Sequence, residues 1–150
     1  MNEKKFEEVM NFAIDRELEA AKFYADMAKK TKFPAIAVVF KELEEMELGH
    51  AEILRNLSVD NINEFSPVEI QNIGLSESME APVTESTLTY QDALVIAIKR
   101  EESSRDLYNT IASEITDETT KKIFLRLAAE EEKHKLQLES IYDEEIFKEN

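Results

Sequence analysis

One spacing occurs twice in this chain. Glu17, Glu47 and His50 are separated by 30 and then 3 residues, and so are Glu101, Glu131 and His134. A shift of 84 residues carries the first trio onto the second without a gap. The chain has only two histidines, and each closes a Glu-x-x-His motif: Glu47-Leu48-Gly49-His50 and Glu131-Glu132-Lys133-His134. Residues three apart share a helix face, so each motif turns a carboxylate and an imidazole toward one point. With two further glutamates, the motifs supply the four carboxylates and two imidazoles of a carboxylate-bridged dimetal centre inside a four-helix bundle. That ligand set points to di-iron chemistry.

The rest of the composition agrees with helices. Glycine (2) and proline (3) are scarce, and the helix formers Glu, Lys, Ala and Leu abound. At 150 residues the chain is expected to form one domain, 1–150, large enough for a core without staples. The absence of cysteine rules out disulfides, thiolate metal sites, iron–sulfur clusters and a rubredoxin-type iron centre in this sequence. It is compatible with a reducing cytoplasm, the expected location. The start, MNEKKFEEVM, has no apolar core of a signal peptide, and the longest apolar runs (Phe33–Phe40, Ala93–Ile98) are too short to span a bilayer. A net charge of -15 argues against binding to nucleic acid or anionic lipid.

The apolar period predicts four helices. Helix A runs from about Glu3 to Lys30, with Phe6, Val9, Met10, Ala13, Ile14, Ala20, Ala21, Tyr24 and Met27 on its stripe and Glu17 in the middle of it. Helix B, about Pro34 to Leu57, has Ile36, Val39, Phe40, Leu43, Met46, Ile53 and Leu54 on the stripe, with Glu47 and His50 interrupting it. Met46 is expected in the core, and Glu44, Glu45, Glu130 and Glu132 on solvated faces. Helix C, about Tyr90 to Ile115, carries Glu101 between Ile98 and Leu107. Helix D, about Asp117 to the mid-140s, carries Glu131 and His134 between Leu127 and Leu138. Thr89 with Asp92 reads as a variant capping box, and Thr116 or Asp117 as the cap of helix D. Short turns make A–B and C–D antiparallel hairpins.

Residues 58–89 shift to Ser, Asn, Pro, Gly and acidic residues. Helices of this length extend about 38 Å, which such a segment can span, so it reads as a crossover that lets B and C run parallel. Val68, Ile70, Ile73 and Leu75 are expected to dock it on the bundle.

The duplication reaches beyond the ligands. Ala13, Ile14, Arg16, Glu17, Tyr24 and Ala28 fall on Ala97, Ile98, Arg100, Glu101, Tyr108 and Ala112, and Phe40, Leu43, Glu47, His50 and Leu54 fall on Phe124, Leu127, Glu131, His134 and Leu138. With Glu17-x6-Tyr24 and Glu101-x6-Tyr108, each followed about thirty residues later by Glu-x-x-His, the chain resembles the rubrerythrin-like branch of the ferritin-like superfamily. The resemblance covers helices A to D. It implies an all-α, ferritin-like four-helix bundle in which Glu47 and Glu131 bridge two metal ions. Glu17, Glu101, His50 and His134 would be terminal ligands, with the pairing of glutamates and histidines left open by the sequence. Tyr24 and Tyr108 would stand behind the ligands; as core tyrosines they need no such role. Carboxylates with one imidazole per metal suit iron, with manganese or adventitious zinc as alternatives.

By this resemblance the expected function is a non-haem di-iron oxidoreductase that reduces hydrogen peroxide or dioxygen. Two departures bear on it. Rubrerythrins proper carry an additional glutamate one turn after the helix C ligand, where this chain has Ser104, and they usually carry a rubredoxin-type domain, for which this sequence has no cysteine. A separate electron-donor protein is therefore expected. A homodimer is the expected assembly, with the apolar residues of Ile141–Phe147 as a contact. The alternatives are a ferroxidase or iron carrier, and a metal-binding bundle without catalysis.

Overall fold

The computed structural model describes residues 2–57 and 89–149, with side chains for 5–57 and 89–145. The expected crossover, including Val68, Ile70, Ile73 and Leu75, lies outside the described residues, as do the side chains of Ile146 and Phe147. Four helices are described and no strand: α1 (Asn2–Lys30), α2 (Pro34–Arg55), α3 (Tyr90–Glu114) and α4 (Glu118–Glu149). The chain divides into two compact units, Met1–Pro67 and Val68–Asn150.

In the first unit α1 packs against α2. Phe33 precedes the break in extended conformation, as the residue before proline must, and Pro34 occupies the first turn of α2, where its missing N–H costs nothing. The Phe33 carbonyl accepts from the amides of Ile36 and Ala37, both at 3.0 Å, and the Phe33 side chain makes no capping bond. The chain then runs back along α1. Early residues of one helix meet late residues of the other: Tyr24 stacks on Phe40 with centroids 6.2 Å apart, and further along Glu17 meets His50. Phe6, Val9, Ala13 and Met27 of α1 and Phe40, Leu43, Ala51 and Leu54 of α2 are buried.

α2 corrects one expectation. Met46 and Ile53 are each 40% exposed. The buried row of α2 is set by Phe40, Leu43, Glu47, His50, Ala51 and Leu54. Met46 and Ile53 each precede a member of that row by one residue, about 100° around the helix. Their counterparts after the 84-residue shift are Glu130 and Gln137, so the outer side of α2 is more apolar than that of α4.

In the second unit α3 packs against α4. Thr89 caps α3: Asp92 N donates to Thr89 Oγ1 at 3.0 Å and Thr89 N donates to Asp92 Oδ2 at 3.3 Å, a reciprocal box that also places a carboxylate at the positive end of the helix. Asp117 caps α4 by accepting from Thr120 N at 2.9 Å and Thr120 Oγ1 at 2.7 Å. These two bonds hold its carboxyl below the usual carboxylate range. The aromatic pair of the first unit is repeated, Tyr108 lying 6.1 Å from Phe124.

Candidate metal centre

Each ligand candidate continues the buried row of its helix. Glu17 is flanked one turn away by Ala13 and Ala21, both buried, and Glu101 by buried Ala97 and Ser104. Small neighbours leave room for a carboxylate where leucine would fill the space. In α2, Glu47 and His50 lie between Leu43 and Leu54; in α4, Glu131 and His134 lie between Leu127 and Leu138. Glu17, Glu47, His50, Glu101, Glu131 and His134 are all at most 3% exposed.

Within the first unit His50 Nδ1 lies 3.1 Å from Glu17 Oε2 and 3.5 Å from Glu47 Oε1. One donor atom each from Glu17, Glu47 and His50 falls within 4.8 Å of the others. Within the second unit one donor atom each from Glu101, Glu131 and His134 likewise falls within 4.8 Å of the others, and His134 Nδ1 lies 3.5 Å from Glu101 Oε2. Nδ1 is therefore the imidazole atom turned toward the carboxylates in both hairpins. Each histidine meets the glutamate of its own hairpin.

The chemistry of this donor set favours a cation. Burying a carboxylate away from water costs several kcal/mol unless it is compensated, and here four are buried with only two imidazoles among them. Hard oxygen donors with one imidazole per trio suit iron or manganese better than soft thiophilic metals.

Around these ligands the hairpins share an aromatic pair and differ elsewhere. Tyr24 and Tyr108 are both 1% exposed and pack on Phe40 and Phe124 of their own hairpins. Ser104 is buried at the position one turn after Glu101. Arg16, beside Glu17, places its guanidinium 5.6 Å from the Phe12 ring centre.

The second hairpin also carries a charged strap. Arg105 of α3 donates to Glu132 of α4 and pairs with Asp106 at 2.9 Å. Lys135 of α4 lies 3.9 Å from Glu102 of α3, 3.8 Å from Glu132 and 4.0 Å from Glu139. Hydrogen bonding from Arg105 holds the Glu132 carboxyl below its usual range, and the two acidic partners raise the guanidinium. Glu132 is thus no simple solvated residue. Its pairing was open to inference once Glu101 and His134 were taken to oppose each other, because Arg105 and Glu132 occupy nearly the same level of an antiparallel pair.

No described helix is long and apolar enough to cross a membrane. The family model described as Rubrerythrin matches residues 8–85 and 92–150. Comparison with curated proteins and with solved structures finds no match. The chain belongs to the rubrerythrin family, and its fold class is all-α, a ferritin-like four-helix bundle. The family and the buried carboxylate–histidine groups fit a di-iron protein.

Proposed function

We propose that this member of the rubrerythrin family is a non-haem di-iron oxidoreductase that reduces hydrogen peroxide or dioxygen with electrons from an external donor protein. The observation that carries the reading is the burial of Glu17, Glu47, His50, Glu101, Glu131 and His134 at duplicated spacing, three in each hairpin. Glu17, Glu47 and His50 of one hairpin and Glu101, Glu131 and His134 of the other would hold the metal ions. Four carboxylates offset the charge of two divalent ions. When bound, an iron pair supplies the redox equivalents for cleaving an O–O bond.

The chain's own groups fix those ligands and limit access of water. Leu43 and Leu54 in one hairpin, and Leu127 and Leu138 in the other, bracket the Glu-x-x-His motifs and are buried. Tyr24 and Tyr108 each stand about two turns beyond their glutamates, on the same helix face, and support the ligands from behind. The absence of cysteine from these residues is why the electrons are assigned to a separate protein. A homodimer in the cytoplasm belongs to the same proposal.

Ser104 favours a second reading, ferroxidase or iron handling. A hydroxyl there cannot replace the carboxylate of full rubrerythrins when the ligands rearrange. The deciding experiment is anaerobic ferrous loading followed by stopped-flow mixing with peroxide and with dioxygen. Faster reaction with peroxide supports peroxide reduction. Faster reaction with dioxygen, with a many-subunit shell and ferric mineral, would replace it with the ferroxidase reading.

A further inference from the structure

We propose that the two metal half-sites are unequal, and that Arg105 is a positioning residue which makes the Glu101–Glu131–His134 half-site the first to load. The inference rests on the metal-binding reading above. Its starting point is the asymmetry of two otherwise matched hairpins. Arg105, Glu102, Glu132 and Lys135 fall, after the 84-residue shift, on Ala21, Leu18, Leu48 and Ala51. At these places one hairpin carries a charged strap and the other carries only apolar side chains, of which Ala21 and Ala51 are buried and Leu48 is exposed.

Each member of the strap adjoins the ligand row. Glu102 follows Glu101, Glu132 follows Glu131, and Lys135 follows His134, while Arg105 lies one turn beyond Glu101. The pairs Arg105–Glu132 and Glu102–Lys135 both run from α3 to α4. They therefore tie the helix bearing Glu101 to the helix bearing Glu131 and His134 at the level of the ligands. A guanidinium fork is directional, and Arg105 and Lys135 are 25% and 16% exposed while their partners Glu132 and Glu102 are 35% and 50% exposed, so the Arg105–Glu132 pair sets the geometry more than it adds stability. The buried Ala21 and Ala51 at the matching places of α1 and α2 have no charge with which to set the slide of one helix along the other.

The charge of the strap does not oppose a metal. Its two cations are outnumbered by Glu102, Asp106, Glu132 and Glu139. The ligands themselves point the same way. His50 and Glu17 lie 3.1 Å apart and His134 and Glu101 lie 3.5 Å apart, so a cation has the tighter contact to enter in the first hairpin. Ligands kept in register by the strap lose less freedom on binding, which favours the second hairpin.

The two histidines give one reporter for each half-site. The test is titration of the apo protein with zinc, a diamagnetic probe, followed by long-range 1H–15N spectra of the imidazoles. His134 signals should move before those of His50 in the wild type. Arg105→Ala, which installs the residue found at position 21, should weaken the His134 half-site about tenfold and leave the His50 midpoint in place. Arg105→Lys should restore part of the order, which a loss of general stability would not mimic. Simultaneous response, or His50 first, overturns this inference and leaves the metal site standing. If neither histidine responds to excess zinc, both readings fall. The wild-type order decides the matter even where a variant does not fold.

Discussion

Glu17 Oε2 and His50 Nδ1 lie 3.1 Å apart, although 33 residues separate them in the chain, and both are nearly inaccessible to water. Two helices are held by this polar contact at a level where apolar packing would have been easier. A fold that places such groups in its core gives up stability for a site, and the following outcomes measure that exchange.

Replacing Glu17 or Glu101 with leucine should stabilise the apo protein while destroying metal binding. Each change removes a buried carboxylate among like charges and adds apolar volume, an effect of about 1–3 kcal/mol. Chemical denaturation of the metal-free variants gives the stability, and elemental analysis after loading gives the metal content. If Glu17→Leu leaves both unchanged, the role given to Glu17 is wrong.

Metal should stabilise the folded chain by mass action. At free metal of a hundred times Kd the gain is about 2.7 kcal/mol, and a chelator should reverse it. Thermal unfolding across a ferrous titration under anaerobic conditions checks this. A melting temperature indifferent to ferrous ion and to chelator would contradict a buried site.

Ser104→Glu should raise peroxide turnover with a surrogate electron donor if a missing carboxylate limits the wild type. The diferrous wild type is expected to react faster with peroxide than with dioxygen, yet to turn over slowly. Stopped-flow and steady-state assays of both proteins, with both oxidants, test the two statements together. Unchanged turnover in the variant would locate the limitation elsewhere.

Asp117 makes helix capping sensitive to pH. Its folded carboxyl titrates below the usual range because Thr120 donates to it from both backbone and side chain. A depressed folded value contributes stability above the unfolded value of about 4, and that contribution is lost as pH falls through the folded one. Asp117→Ala should therefore melt lower than wild type at pH near 7, with the gap narrowing below about pH 4. A gap independent of pH would mean that the carboxylate charge plays no part in the cap. The uncharged cap at the other helix, Thr89, should cost about 1 kcal/mol on change to alanine, without effect on metal binding.

The sequence by itself determined the helices and their phase. Apolar residues recurring at the helical period set which side of each helix is buried, and Glu17, Glu47, His50, Glu101, Glu131 and His134 share that phase and are buried. Local chemistry fixed the ends as well: Thr89 with Asp92, Phe33 with Pro34 and Asp117 with Thr120 each act within a few residues. Tertiary structure decided the width of the buried face and the long-range pairings. Met46 and Ile53 belong to the apolar pattern yet lie outside, because a period fixes a direction and not how far around the helix its neighbour reaches. Glu132 looks like one more acidic surface residue until Arg105, 27 positions earlier, is brought against it by the antiparallel packing of α3 on α4. Nothing local to either residue encodes that meeting, since the distance between them depends on the packing of the whole hairpin.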